Sequence, residues 1–159
     1  MADLINEPVN KRIKNIMSEI TCRQIINDEE LAACFKIRKQ VFVDEQKLFC
    51  DSDLDDHDND AVHIAAVSND KIIGTVRIYR EEEDVWVGGR LAVKKRYRGK
   101  AGKLLVLRAV EIVKNNNAKV FKAIIQADNV SFFINLKWKP VGEMFLHHGQ
   151  MHQLMQAQL

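Results

Sequence analysis

Residues 91–113 read LAVKKRYRGKAGKLLVLRAVEIV: an apolar β-type run, a basic loop with two glycines, then a long helix pattern with an apolar stripe. This order commits the chain to a strand that feeds directly into a helix whose first turn is open to an anion. The first N–H groups of a helix lack intrahelical partners and stand at the positive end of its dipole. Gly99 and Gly102 allow a tight turn and let a phosphate approach the main chain without meeting a Cβ. Arg90, Lys94, Lys95, Arg96, Arg98, Lys100 and Lys103 add cationic side chains, with no acidic residue between Arg90 and Lys103. The segment reads as a cradle for a pyrophosphate.

Two common phosphate motifs are absent. No pair of glycines has the Walker spacing followed by Lys and Ser or Thr. Gly88, Gly89, Gly99 and Gly102 do not fit the three-glycine dinucleotide fingerprint. What the loop does satisfy, over Arg96-Tyr-Arg-Gly-Lys-Ala101, is R/Q-x-x-G-x-G/A. It resembles the coenzyme A loop of the GNAT acetyltransferase superfamily, with Val93, Tyr97, Arg98, Gly99, Leu104 and Leu105 in agreement. Lys95 stands where proline is usual, and Ala101 and Lys103 stand where glycines are common.

The resemblance extends over about residues 20–159. Arg38-Lys-Gln-Val-Phe-Val-Asp-Glu45-Gln46 is similar to an R-x-x-V-F-V-x-E-Q string of one GNAT branch, and Ala61-Val-His63-Ile and Ile73-Gly-Thr-Val-Arg77 to its next two strands. Trp86 to Val93, Gln126 to Phe133 and His148 to Met155 resemble acetyltransferases associated with bacterial nitrogen-starvation gene clusters. The implied fold is a mixed α/β (α+β) domain with a mostly antiparallel central sheet, flanked by helices and splayed between its fourth and fifth strands. The implied reaction is transfer of an acetyl group from acetyl-CoA to an amine, with no metal.

Composition agrees with a single enzyme-sized domain. At 159 residues, 47% of them hydrophobic, the chain can bury roughly two-thirds of its unfolded surface. Residues 1–19 are expected to form an N-terminal arm or helix ahead of one domain over 20–159. The net charge of +2 gives no bulk attraction to nucleic acid or membrane, and neither is expected as a partner. The N-terminal stretch is broken by Asn6, Glu7, Lys11, Arg12, Lys14 and Asn15, so no signal-peptide core or membrane-length apolar run is read there. A cytoplasmic location is expected. Cys22, Cys34 and Cys50 lack disulfide or zinc spacing and are expected to be free thiols, with Cys50 a candidate for exposure.

Strands are expected over 20–26, 61–67, 72–79, 85–93, 119–126, 141–146 and 151–157. Helices are expected over 29–40, capped by Asn27 or Asp28, over 100–115, and over 130–136, capped by Asn129. A bulge or splay is expected at Gly88-Gly89. Six aspartates fall within residues 51–60. They read either as a solvated loop or as an anionic funnel for a cationic amine; the order of ligands rules out a calcium-binding EF-hand loop.

The resemblance implies that the backbone of Leu91, Ala92 and Val93 faces the pantetheine arm and thioester. It gives the pyrophosphate the amides of Arg98, Gly99, Lys100, Ala101, Gly102 and Lys103, and the pantetheine Asn129. Phe133 occupies the position where many GNAT enzymes have an acidic tyrosine. It cannot donate a proton and is expected to contact the cofactor or to pack with Phe132 and Trp138.

His152, in the terminal G-x-x-H string, is either the general base or a strand histidine holding a backbone carbonyl. Glu45 is either base, ammonium ligand or loop cap, with Arg38 and Arg90 as candidate ion-pair partners. His63 reads as a core histidine, and His147 and His148 as turn residues. Three functions follow: a small-molecule N-acetyltransferase, a non-catalytic acyl-CoA-binding or regulatory module, and a nucleic-acid patch centred on Tyr97, which the low net charge opposes. A homodimer through the edge of the final hairpin is possible. The identity of the amine and the length of the acyl chain are not readable.

Overall fold

A computed structural model describes residues 19–159. The expected arm over 1–19 lies, save for its last residue, outside the described residues. Seven strands form one sheet: β1 (Thr21–Gln24), β2 (Val62–Ser68), β3 (Lys71–Glu82), β4 (Val85–Val93), β5 (Val120–Gln126), β6 (Trp138–His147) and β7 (Gln150–Ala157). Their spatial order is β1-β2-β3-β4-β5-β7-β6. Every neighbouring pair is antiparallel except β4 with β5, which is parallel. The expected mixed, mostly antiparallel sheet is what the chain forms.

Among the described residues three α-helices complete the frame: α1 (Asp28–Arg38), α2 (Lys100–Asn115) and α3 (Val130–Asn135). Asn27 caps α1 as expected, its side chain accepting from the Glu30 N–H at 2.8 Å. Past Arg38 the chain continues as a π-helix, Lys39–Glu45, which the sequence pattern did not reveal. Asn129 precedes α3, but its side chain makes no cap hydrogen bond, contrary to expectation. The N–H groups of so short a helix remain near solvent and tolerate this.

Along α2, Ala101, Leu105, Ala109 and Val113 recur every fourth residue and are all buried, which turns one stripe of the helix onto the sheet. Arg108, Glu111, Lys114 and Asn115 lie on its outer side, as the periodicity requires. On β3 the two-residue alternation sends Val76 and Ile78 into the core shared with α2. A second, smaller core joins Ile37, Val41 and Phe42 to Ala92. Asn69 and Asp70, both with positive φ (51° and 61°), make a two-residue turn between β2 and β3, and His148 and Gly149 (49° and 74°) make another between β6 and β7.

Of the bulge or splay expected at Gly88-Gly89, the splay is there, since β4 stops pairing with β5 after Gly88, while the bulge lies farther along. Gly88 and Gly89 stay in register, opposite Ile78 and Arg77, and the extra residue falls at Arg90–Leu91, which together oppose Val76. Gly88 serves close packing instead, since a Cβ there would come within 3.0 Å of the Phe121 ring. Arg90 takes φ +55° in the bulge, an uncommon conformation for a side chain of its size.

The aspartate-rich segment is fastened at three of its six aspartates, while Asp51, Asp56 and Asp60 stay exposed with no ion-pair partner among the described residues. Arg38 donates from Nε to Asp53 at 2.7 Å and from both terminal nitrogens to Asp58 at 2.7 and 3.0 Å. Arg77 binds Asp55 through two bonds, 2.6 and 2.8 Å, and reaches Asp58 at 2.9 Å. Arg90 donates to the Asp53 carbonyl at 3.1 and 2.9 Å. Three charges of each sign therefore pin residues 53–58 to α1, β3 and β4. A buried arginine forces this outcome: Arg38 is 1% exposed and could not stay inside without carboxylate partners.

Burial alone would push the Asp58 carboxyl up, but hydrogen bonds from Arg38, the Asp55 N–H and Arg77 outweigh it and hold the group well below the usual carboxylate range. A carboxylate whose folded value is depressed stabilises the protein above its unfolded value, and that stabilisation is lost as the pH falls through the folded value. Asp58→Asn is expected to cost about 3 kcal/mol at neutral pH. In urea titrations the gap between wild type and variant should narrow as the pH drops from about 5 toward about 2. A gap that does not change with pH would show that the ion pairs are not its source.

Candidate active site

The β4–β5 ladder runs from Val85↔Val120 to Gly88↔Ala123 and stops there. Beyond it the strands part, and a cavity of about 390 Å³ opens between them. Its inner wall is apolar, including Val106, Phe121, Phe133 and Trp138. Its outer wall is more polar and comes from four places: Phe49 and His57 from the stretch between the π-helix and β2, Tyr79 from β3, Arg90 from β4, and His147, His148 and His152 from the β6–β7 hairpin.

Of the residues expected to act, Leu91, Asn129, Phe133 and His152 line this cavity. Leu91 is the second residue of the bulge, and beyond Gly88 no strand pairs with β4 on its β5 side. That leaves Leu91 at the open cleft, while the Val93 carbonyl accepts from Arg98 Nε at 3.0 Å and the side chains of Ala92 and Val93 are buried in the two cores. Asn129 spends none of its amide on a cap and lies free at the cavity wall. Phe133 packs edge-on against Trp138, ring centroids 5.2 Å apart, and against Phe132 at 5.5 Å.

The basic loop lies at the end of β4, where a three-residue 3-10 turn (Lys95–Tyr97) leads to Gly99, the residue capping α2. Gly99 has φ +89°, which an L side chain rarely adopts, and no atom lies within 4 Å of where a Cβ would stand. The N–H of Arg98 bonds the Lys95 carbonyl and that of Lys103 bonds the Gly99 carbonyl, so these two expected amides are already engaged. Among the described residues no acceptor takes the N–H groups of Gly99, Lys100, Ala101 and Gly102. Four free amides at the positive end of a sixteen-residue helix, beside Lys100 and Lys103, fit a pyrophosphate.

Glu45 is not brought to the cavity. It ends the π-helix and pairs with Arg98 at 2.6 Å, so it borders the basic loop. Arg38 and Arg90, its expected partners, are held by the aspartates instead. His152, by contrast, is buried with its Nδ1 2.9 Å from the Gln150 carbonyl. A carbonyl only accepts, so Nδ1 carries the proton and Nε2 keeps a lone pair, with no protein partner among the described residues. The carbonyl-holding role is therefore compatible with a free Nε2 at the cavity wall.

His63 is a core histidine, buried against Phe35, with Nε2 3.1 Å from the Asp58 carbonyl. Burial pushes its pKa down. His147 lies with its ring 4.3 Å from that of His148 and 5.1 Å from that of His152. Burial first, and then the neighbouring His148, His152 and Arg90, lower its pKa. His57, Phe49 and Tyr79 went unnoticed in the sequence as site residues. His57 stacks on Tyr79 at 4.0 Å, a contact that exists only because the aspartates fasten the segment to β3. Among the described residues, no group of three His, Cys, Asp or Glu side chains is placed to hold a metal ion.

Comparison with known proteins decides what this cleft belongs to. The acetyltransferase (GNAT) family profile matches residues 24–133. The chain belongs to that family. A Bacillus subtilis (strain 168) protein named as a candidate acetyltransferase is 31% identical over 140 residues, which cover 86% of this chain and 95% of that protein. The crystal structure of Escherichia coli ElaA superposes with a TM-score of 0.78 at 26% identity, covering 87% of this chain and 99% of ElaA. An acyl-CoA N-acyltransferase from Pseudomonas aeruginosa shares the fold, with a TM-score of 0.74 at 24% identity over 88% of this chain and 99% of its own.

Gly99→Asp puts a side chain at a positive φ and an anion among the free amides, at a strain cost of about 1–3 kcal/mol. The expected result is at least about a tenfold weaker Kd for acetyl-CoA by calorimetry. Unchanged binding would remove the α2 amides from the cofactor site.

Proposed function

We propose that this GNAT protein is an N-acetyltransferase that moves an acetyl group from acetyl-CoA to the primary amine of a small molecule, the amine attacking the thioester directly. The observation that carries this reading is His152, whose hydrogen-bonded Nδ1 leaves a basic Nε2 in the wall of the cleft that begins at the β4–β5 parting. Bound acetyl-CoA supplies an activated acyl carbon. The free amides of Gly99 to Gly102 would hold its pyrophosphate, and the main chain of Leu91 to Val93 and Asn129 would line its pantetheine arm.

An alkylamine of pKa ~10 is mostly protonated at neutral pH, so a base must take its proton, and His152 Nε2 is the group at hand. Phe133 offers no proton to a leaving group. With a thiol pKa of ~8.5, departure without a side-chain acid is chemically sufficient at neutral pH. Glu45, paired with Arg98 and absent from the cavity wall, is the less favoured of the two candidate bases. The strings shared with the nitrogen-starvation branch support a metabolic amine as acceptor. Three free cysteines support a reducing, cytoplasmic setting. The outer strand β6 offers an edge for a homodimer, with Leu146 73% exposed. No described helix is long and apolar enough to cross a membrane.

Phe133 favours one alternative, a non-catalytic acyl-CoA-binding module. The test is release of free thiol from acetyl-CoA in the presence of an amine panel, with the acetylated amine identified by mass. Turnover supports the enzyme, whereas tight binding without any turnover supports the module. His152→Gln keeps a polar side chain but loses the basic nitrogen, and kcat should fall about 10²-fold. Wild-type activity in that variant would exclude His152 as the base.

A further inference from the structure

We infer, on the acetyltransferase reading above, that the acceptor is an amine carrying its own anionic group, carboxylate or phosphate, held by Arg90 and the His147–His148 corner a short distance from His152. The first ground is backbone conformation. Lys47, Asn69, Asp70, Arg90, Asn117, Lys137 and His148 are the described non-glycine residues with positive φ. Arg90 and His148 are the members of that set which line the cavity. A long side chain in the left-handed region costs energy, and such strain persists where surrounding structure enforces it, often at ligand sites. Here the bulge at Arg90–Leu91 aims the guanidinium across the cleft mouth, 4.8 Å above the Phe49 ring.

The second ground is the inventory of charge. Arg90 spends Nε and Nη2 on Asp53 and Asp55, and its Nη1 has no protein partner among the described residues. Asp55 is the one carboxylate in the described cavity wall, and both of its oxygens are taken, by Arg77, by Arg90 and by the His57 N–H. The remaining polar groups at the mouth, His57, Tyr79, His147, His148 and His152, are neutral or cationic. A polyamine or aminoglycoside would find no free anion for its extra ammonium groups, while an anion finds Arg90 Nη1 and imidazole donors. The same cation would lower the pKa of an amine beside it and so increase its reactive neutral fraction. With the His147 and His152 rings 5.1 Å apart, the amine and the anion sit close together on the acceptor, as in an α-amino acid.

The test is acetyl-CoA-dependent thiol release by the wild-type protein with matched pairs: phenylalanine and phenethylamine, histidine and histamine, arginine and agmatine, phosphoethanolamine and ethanolamine, with spermidine as the polycation. The anionic member is expected to lead its partner by about tenfold or more in kcat/KM. The amino-acid and phosphate pairs show which anion is used. In Arg90→Gln, and separately in His148→Gln, the preference should shrink through a raised KM for the anionic member. Preference for spermidine or the decarboxylated amines overturns the inference, as does silence of every anionic amine while acetyl-CoA binds. Calorimetry with acetyl-CoA separates the two levels: failure to bind removes the acetyltransferase reading itself, whereas binding with the wrong preference removes the anionic acceptor alone.

Discussion

Beyond the Gly88–Ala123 pair, β4 and β5 stop exchanging hydrogen bonds, and what the protein offers a ligand follows from that parting. Parallel neighbours in a sheet normally satisfy each other's main chain, so a strand left unpaired inside a domain has peptide groups that need a partner. The bulge at Arg90–Leu91 re-aims β4 where this begins, and the Phe121 ring, packed against the bare Cα of Gly88, holds the two strands together up to that point. The cleft is thus a consequence of one displaced register and one aromatic contact. α2 begins at the far end of the same strand, so its free amides and the open strand edge lie along one path.

The arginine–aspartate cluster is the second constraint. Sixteen residues join the π-helix to β2 with one short 3-10 turn, Asp56–Asn59, as their regular structure. A segment of that length and charge would be mobile on its own. Arg38, Arg77 and Arg90 each come from a different element, and together they neutralise Asp53, Asp55 and Asp58 and draw the segment down over the second core. Ion pairs of this kind are poor sources of net stability compared with apolar packing, but removing one member leaves a buried charge. Their effect here is geometric: they place His57 on the wall of the cleft and leave no unpaired carboxylate among the described residues that line it.

Much of the fold was legible because it rests on local patterns. The α2 stripe and the Asn27 cap depend on residues within a few positions of each other, and both formed where the sequence placed them. Gly88-Gly89 marked where β4 parts from β5, but the bulge itself lies two residues on, because glycine marks both turning and close approach and nothing local distinguishes them. Asn129 does not cap α3, which at six residues needs little capping. Glu45 was a candidate base because it sits in a family string, yet its partner, Arg98, lies fifty-three positions away, a distance over which sequence carries no geometry.

By itself the sequence determined the open helix N-terminus with its free amides: Gly99, the cationic loop and a strand running into an apolar-striped helix specify it through backbone conformation and dipole, which are local quantities. It determined the element order and, through several shared strings, the family. Only the tertiary structure decided which charges are free. The aspartate run looks uniformly anionic when read along the chain, but arginines from α1, β3 and β4 take Asp53, Asp55 and Asp58 out of it, because burying a guanidinium requires a carboxylate beside it. It also decided that His152 reaches the cleft with Nε2 free, since that depends on the Gln150 carbonyl claiming Nδ1 across the β6–β7 turn.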